Sequence, residues 1–268
     1  MPSAIGQCLA LSVGPEGAQL ALRRGVWRPR YRLLESLVWP AQASDAQRAA
    51  ALGALLQRHP APGSALEVLV ADLWVPSASV QAPVNAASLA DLQAAVALRL
   101  RTVTDTATGW ELASEPRVGG RFVASALRSG VLDMLHQQCE QHGLHLVSVQ
   151  PLFAAVWNHW SGALAPGEWL GICSAGVLTL CVAPQWHMEQ LRRLEFTPAQ
   201  GQAPGWPGDA VQRESLRLGV VPPAALALCG EVPRPWRDAL PAASARHDPT
   251  VVYLGAACDA PSLWGVQR

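Results

Sequence analysis

The chain contains no lysine: all twenty basic side chains are arginine, and twenty acids balance them. That absence removes several chemistries at once. A GxxxxGK[ST] phosphate loop needs the lysine ammonium on the terminal phosphates, and Schiff-base and Ser-Lys mechanisms need the free amine. The neutral balance supplies no bulk attraction to nucleic acid or to an anionic membrane. Aromatic residues other than tryptophan are scarce, with two Tyr and three Phe against eleven Trp. No apolar run approaches the roughly 18 residues that cross a bilayer. The opening MPSAIGQCLALSVG lacks the basic segment of a signal peptide. No CxxC pair occurs, and the six cysteines (8, 139, 173, 181, 229, 258) are scattered, some inside apolar runs such as ALALCG. They read as buried free thiols of a reducing cytoplasm. An Ala-, Arg-, Gly- and Pro-rich chain without lysine is also what a GC-rich genome encodes, so the missing mechanisms are a consequence of composition.

Half of the 268 residues are hydrophobic and only 15% are charged. Such a chain builds a sizeable core, as one large or two modest domains. Residues 7–13, 17–24 and 26–35 alternate apolar and polar residues, with Gly14-Pro15-Glu16-Gly17 at the first reversal, and predict three antiparallel strands. Ser44 with Gln47 forms a capping box ahead of a helix striped by Leu52, Leu55 and Leu56. A buried strand is expected at 66–71, and Ser88 with Asp91 opens a second helix bearing Leu89, Leu92, Val96 and Leu100. Strand 121–126, a helix from Ser129 to Gly143, strand 144–149 and a helix beginning at Pro151 follow.

From 168 the opening pattern recurs. Strands are expected at 169–174, 177–183 and 186–196, then a Pro/Gly-rich loop at 198–208. A helix at 209–218 closing on Gly219, strand 225–229, a short helix near 236–240 and strand 250–255 complete the set. The segments WRPRYRLLE (27–35) and WHMEQLRRLE (186–195) are alike, so the chain reads as two copies of a βββαβαβ-type unit.

Several candidate sites compete with plainer roles. Gly171-Ile172-Cys173-Ser174-Ala175-Gly176 is not a nucleophile elbow: the second glycine falls one place late for Cys173, position 172 is not glycine for Ser174, and a strand rather than a helix follows. Cys139, His142 and His145 are spaced three apart, but Gly143 breaks the helix between the histidines, which favours solvated or capping roles over zinc. Asp72 ends a strand without an identifiable carboxylate partner and is expected to bind turn amides. Trp157, Trp160, Trp169 and Trp186 are expected in the core. Trp74, Trp206, Trp236 and Trp264 lie beside proline or in loops, where exposed tryptophan anchors protein interfaces.

The paired meanders, together with LEVLVADLWV (66–75), WELAS (110–114), RFVASAL (121–127) and GLHLVSVQPLFAAVWNHW (143–160), resemble the actin-like type IV pilus protein PilM and the cytoplasmic domain of the type II secretion protein GspL. The likeness covers about residues 65–195. It departs where the relatives carry Ser-Asp-x-x-Val-Arg, which here is Ala71-Asp72-Leu73-Trp74-Val75-Pro76. The chain also lacks the membrane span of full-length GspL, as PilM does. The resemblance implies a duplicated actin-like (ribonuclease-H-like) α/β fold with mixed sheets. Its first half would occupy 1–165, with an inserted subdomain near 66–127, and its second half 166–268. It further implies a non-catalytic cytoplasmic scaffold at the inner face of the inner membrane. The implied partners are the cytoplasmic tail of a PilN-like inner-membrane protein and an assembly ATPase, with no nucleic acid.

Actin-like ATPases hold phosphates on one hairpin from each half, through backbone amides and an acid beside a Gly-rich turn. If ATP binds here, the expected contacts are Ser174, Gly176 and Gly230. Neither hairpin carries the Asp, Pro15 offers no N–H, and no lysine meets a phosphate, so hydrolysis is not expected. The alternative reading is an ATPase whose domain closure is switched by nucleotide. A further alternative is a small-molecule enzyme on an unrelated α/β fold, which continuous core packing around Cys173 and Ser174 would count against.

Overall fold

A computed structural model describes residues 7–25, 30–40, 42–104, 108–183, 187–238 and 250–253. The first half opens with β1 (Gln7–Val13), β2 (Gly17–Arg24) and β3 (Arg30–Val38), an antiparallel meander. Helix α1 (Asp45–Arg58) follows, started by Ser44 and Gln47, whose side chains reciprocally bond each other's backbone N–H. Strand β4 (Ala65–Val70) then pairs parallel to β1. A 3-10 turn at Asp72–Trp74 leads into an inserted unit: β5 (Ser77–Gln81), α2 (Leu89–Leu100), β6 (Trp110–Ser114) and β7 (Arg121–Arg128). Helix α3 (Ser129–His142), β8 (His145–Pro151) and α4 (Leu152–Trp160) complete this half. The second half repeats the order with β9 (Trp169–Ser174), β10 (Val177–Val182), β11 (Gln190–Glu195), α5 (Pro198–Gly201), α6 (Trp206–Leu218), β12 (Ala225–Gly230), α7 (Arg234–Asp238) and β13 (Thr250–Tyr253).

The two five-stranded sheets have the same order, β3-β2-β1-β4-β8 and β11-β10-β9-β12-β13, and the insert forms a third sheet, β5-β7-β6. This is the duplicated actin-like α/β fold expected from the two meanders. Because β4 lies inside the first large sheet, the third sheet begins at Ser77.

Alternation along β1 decides what packs where. Leu9, Leu11 and Val13 point to α1 and α3, meeting Leu52, Leu55, Leu56 and Leu135. Ala10, with Ala21 beside it, points the other way, and these small side chains leave room for α4. Leu152, Phe153 and Val156 of α4 therefore touch Ala10 and Leu69 of the first half and Leu170, Ile172 and Cys181 of the second in one continuous cluster. The halves share a core.

Several boundaries move for physical reasons. Strand β3 extends to Val38 rather than stopping at residue 35, because Gly17 pairs with Val38 around a bulge at Leu20/Ala21. The expected 198–208 loop contains a helical turn, since Thr197 and Gln200 form a third capping box, and α6 starts at Trp206 instead of 209. Pro151 is the N-cap of α4, not its first helical residue. Strand β5 was not expected: its inward residues are only Ala78 and Val80, too few for a clear period. Trp186, Trp264, Cys258 and residues 254–255 lie outside the described residues. The five described cysteines are all free and buried.

Trp206 and Trp236 sit in the core, not in exposed loops. Their rings stack 5.1 Å apart, and Phe196 lies 4.8 Å from Trp236. The Trp236 indole N–H donates to the Gln200 carbonyl at 3.1 Å, which settles its one polar atom. Trp157 and Trp160 are only half-buried on α4.

Candidate functional site

The β1–β2 and β9–β10 hairpins are the two turns that the resemblance singles out for phosphate contacts, if nucleotide binds. In the first, Gly14 N–H donates to the Gly17 carbonyl at 2.9 Å. The Gly14 carbonyl accepts the Trp39 indole N–H at 2.8 Å, so a tryptophan lies against the turn. Trp39 is 6% exposed and directly follows the end of β3 at Val38. The second turn is Ala175-Gly176, both with positive φ (48° and 74°), the form that fits a two-residue hairpin. Its Ala175 N–H, the kind of group that would meet a phosphate oxygen, donates to the Glu231 carboxylate at 2.9 Å. The turn is thus capped by an anion from its own chain.

Ser174, Gly176 and Gly230 do converge at this corner. Gly230 pairs with Cys173 across the parallel β9–β12 ladder, and Glu231 N–H donates to the Cys173 carbonyl at 2.7 Å. Gly230 has φ +84°, and a Cβ there would collide with the Cys173 backbone, so only glycine fits. Cys173 is fully buried among Leu178, Leu228 and Trp236, and burial pushes its thiol well above the usual range. A nucleophile needs the opposite. Core packing is continuous around Cys173, while Ser174 beside it is only half-buried. Cys139 belongs to the α3 core face while His145 is exposed on β8 beyond Gly143, and among the described residues no cluster of three His, Cys, Asp or Glu side chains suits a metal.

Asp72 does not cap a local turn. Its carboxylate accepts the Phe153 N–H at 2.9 Å, at the start of α4, and the Thr179 hydroxyl of β10. The Arg193 guanidinium of β11 donates to the Asp72 main-chain carbonyl. One residue of the first half therefore touches α4 and two strands of the second. Burial raises the Asp72 carboxyl to about 6, with the Phe153 amide, Thr179 hydroxyl and Arg193 charge pulling the other way. A second tie comes from the insert, where the Ser79 hydroxyl donates to the Glu189 carbonyl at 2.7 Å.

A groove of about 920 Å³ opens in the first half between α1, the Asp72–Trp74 turn, α3 and the insert. Trp39, Leu73, Trp74 and Trp110 supply its apolar wall. The Arg48 guanidinium lies 5.2 Å from the Trp74 ring centre, and Arg128 lies 5.2 Å from that of Trp110. Arg48 also pairs with Asp45 at 3.1 Å. A tryptophan-lined groove with arginine on its rim has the make-up of a peptide-binding surface. Trp74 was legible in the sequence as an interface candidate. Trp39 and Trp110 were missed, because nothing in their local sequence marks them as neighbours.

Strand order, duplication and hairpin placement define the class: this chain has the duplicated actin-like fold, with a third sheet inserted in the first half. Solved structures agree. A Bacteroides thetaiotaomicron VPI-5482 protein with an actin-like ATPase fold and unknown function superposes with a TM-score of 0.61 over 92% of this chain and 90% of its own, at 8% identity. The PilM-PilN type IV pilus biogenesis complex gives 0.59, covering 85% and 82% at 17% identity. The cytoplasmic domain of EpsL, an inner membrane component of the type II secretion system of Vibrio cholerae, gives 0.57, covering 85% and 84% at 10% identity. No protein-family model and no curated protein matches the sequence.

Proposed function

We propose that this chain is a non-catalytic cytoplasmic scaffold of a type IV pilus or type II secretion-like assembly platform. Its partner is the short cytoplasmic tail of a PilN-like inner-membrane protein. The observation that carries the reading is the tryptophan-lined groove of the first half. An extended tail seated there places apolar side chains against Trp74 and Trp110, within reach of the rim charges. The fold shared with a PilM-PilN complex and with the EpsL domain supports the choice of partner. An assembly ATPase is a further partner on this reading, and membrane association runs through the partners. Among the described residues no helix is long and apolar enough to cross a bilayer.

The test is calorimetric titration of the chain with a synthetic peptide of the PilN-like tail from the same cell. Saturable binding, weakened at least about tenfold by Trp74→Ala, supports the proposal. Equal affinity for the variant places the tail elsewhere, and no binding by either removes the reading.

The alternative is an ATP-binding switch held by Ser174, Gly176 and Gly230. The Glu231 carboxylate on the Ala175 amide and the Trp39 indole on the Gly14 carbonyl both oppose it. Saturating Mg-ATP at about 100 times its Kd would stabilise the fold by about 2.7 kcal/mol. A flat melting temperature across millimolar Mg-ATP excludes it, whereas a clear rise would replace the scaffold reading.

A further inference from the structure

The Asp72–Trp74 turn has two neighbours of different kinds. Leu73, 42% exposed, and Trp74 form part of the groove wall. Asp72, one residue before, is buried at the junction of the halves. The turn closes on itself through Trp74 N–H to the Ala71 carbonyl at 2.9 Å and Val75 N–H to the Asp72 carbonyl at 3.2 Å. The carbonyl that accepts Val75 is the one that accepts the Arg193 guanidinium from β11. The side chain of the same residue accepts Phe153 N–H and the Thr179 hydroxyl. Only three residues long, the turn has no slack, so Trp74 cannot shift without moving the carbonyl and carboxylate that grip the second half.

We propose that this turn couples the groove to the junction between the two halves, so that a segment seated on Leu73 and Trp74 tightens the hold of Asp72 on Thr179 and Arg193. Its role in docking rests on the scaffold reading above, but the coupling itself does not. Two distinct sites share one element, and each biases its position. The effect is reciprocal by thermodynamic necessity.

Amide hydrogen exchange on the intact chain, with no partner present, tests the coupling separately from the identity of any tail. Trp74→Ala should speed exchange at Phe153, Thr179 and Arg193 by about tenfold, while amides in the middle of α3 and α6 keep their rates. In the reverse direction, Thr179→Val should speed exchange at Trp74 and Val75 by a similar factor. Arg193→Gln, a milder change at an exposed residue, should do the same and keeps the test available if the tryptophan variant fails to fold. Local acceleration in both directions establishes the coupling. A response confined to the substituted side, or a uniform rise across all amides, overturns it.

Discussion

The two hairpins are built on the same backbone frame and closed by different chemistry. Ala71 N–H donates to the Val13 carbonyl at 2.8 Å, as Glu231 N–H does to Cys173 at 2.7 Å. Trp39 N–H donates to the Glu16 carbonyl at 2.9 Å, as Phe196 N–H does to Gly176 at 3.0 Å. Trp39 and Phe196 are thus counterparts, and so are Ala71 and Glu231. In the first half the aromatic turns onto the hairpin and donates to it, while the position after the parallel strand is a small Ala. In the second half the aromatic turns away into the Trp206–Trp236 stack, and the position after the strand carries a carboxylate that takes the turn amide. A duplicated frame preserves main-chain bonds, and side chains diverge around them.

Substitutions that separate the halves test this contrast. The largest expected effect is Trp236→Ala, which empties the second-half stack and should cost about 3–5 kcal/mol in urea unfolding, with β9–β12 losing protection first. Asp72, which joins the halves, should make stability fall as pH rises. Its carboxyl lies near 6 in the fold against an ordinary 3.8, so its protonated form is favoured by folding. That contribution is complete below pH 3.8 and lost by about pH 6, at most about 3 kcal/mol. Asp72→Asn should flatten the slope between pH 4 and 7 in paired urea melts, since its amide oxygen still accepts the Phe153 N–H. Gly230→Ala forces a left-handed alanine against the Cys173 backbone and should cost about 2 kcal/mol or more, measured by the same unfolding. Trp39→Phe keeps a benzene ring and loses the pyrrole ring with its N–H to Gly14. A loss of about 1 kcal/mol, confined to the first half in hydrogen exchange, is expected. Glu231→Ala is the mildest. The bond is exposed, so less than about 1 kcal/mol should be lost, and Ala175 N–H should exchange faster without change in β1–β2.

How legible these features are depends on the reach of the signal. Helix starts announce themselves within four residues, so the capping boxes at Ser44 and Ser88 and the left-handed closures at Gly143 and Gly219, both with φ +65°, follow from sequence. Meander alternation carries the strands and, through repetition, the duplication. The site is different, because its contacts join distant positions. Glu231 reaches Ala175 across 56 residues, Phe153 reaches Asp72 across 81, and Arg193 reaches Asp72 across 121. No local pattern encodes such pairs. The β5 strand escapes notice for another reason: Ala and Ser alternate too weakly in hydropathy to show a period. Trp206 and Trp236 look like loop residues beside proline until the fold stacks them on each other with Phe196 against both.

The inserted sheet carries a mechanical consequence. Two plates joined along one line open and shut like a book, the motion by which a cleft closes on a ligand. Here a third plate is fixed to the first at both chain crossings, residues 71–76 and the β7–α3 junction, and is pinned to the second where Ser79 meets Glu189. Three plates in mutual contact form a truss. Load applied to one member is shared by the other two, and opening the hinge has to break the bond between Ser79 and Glu189.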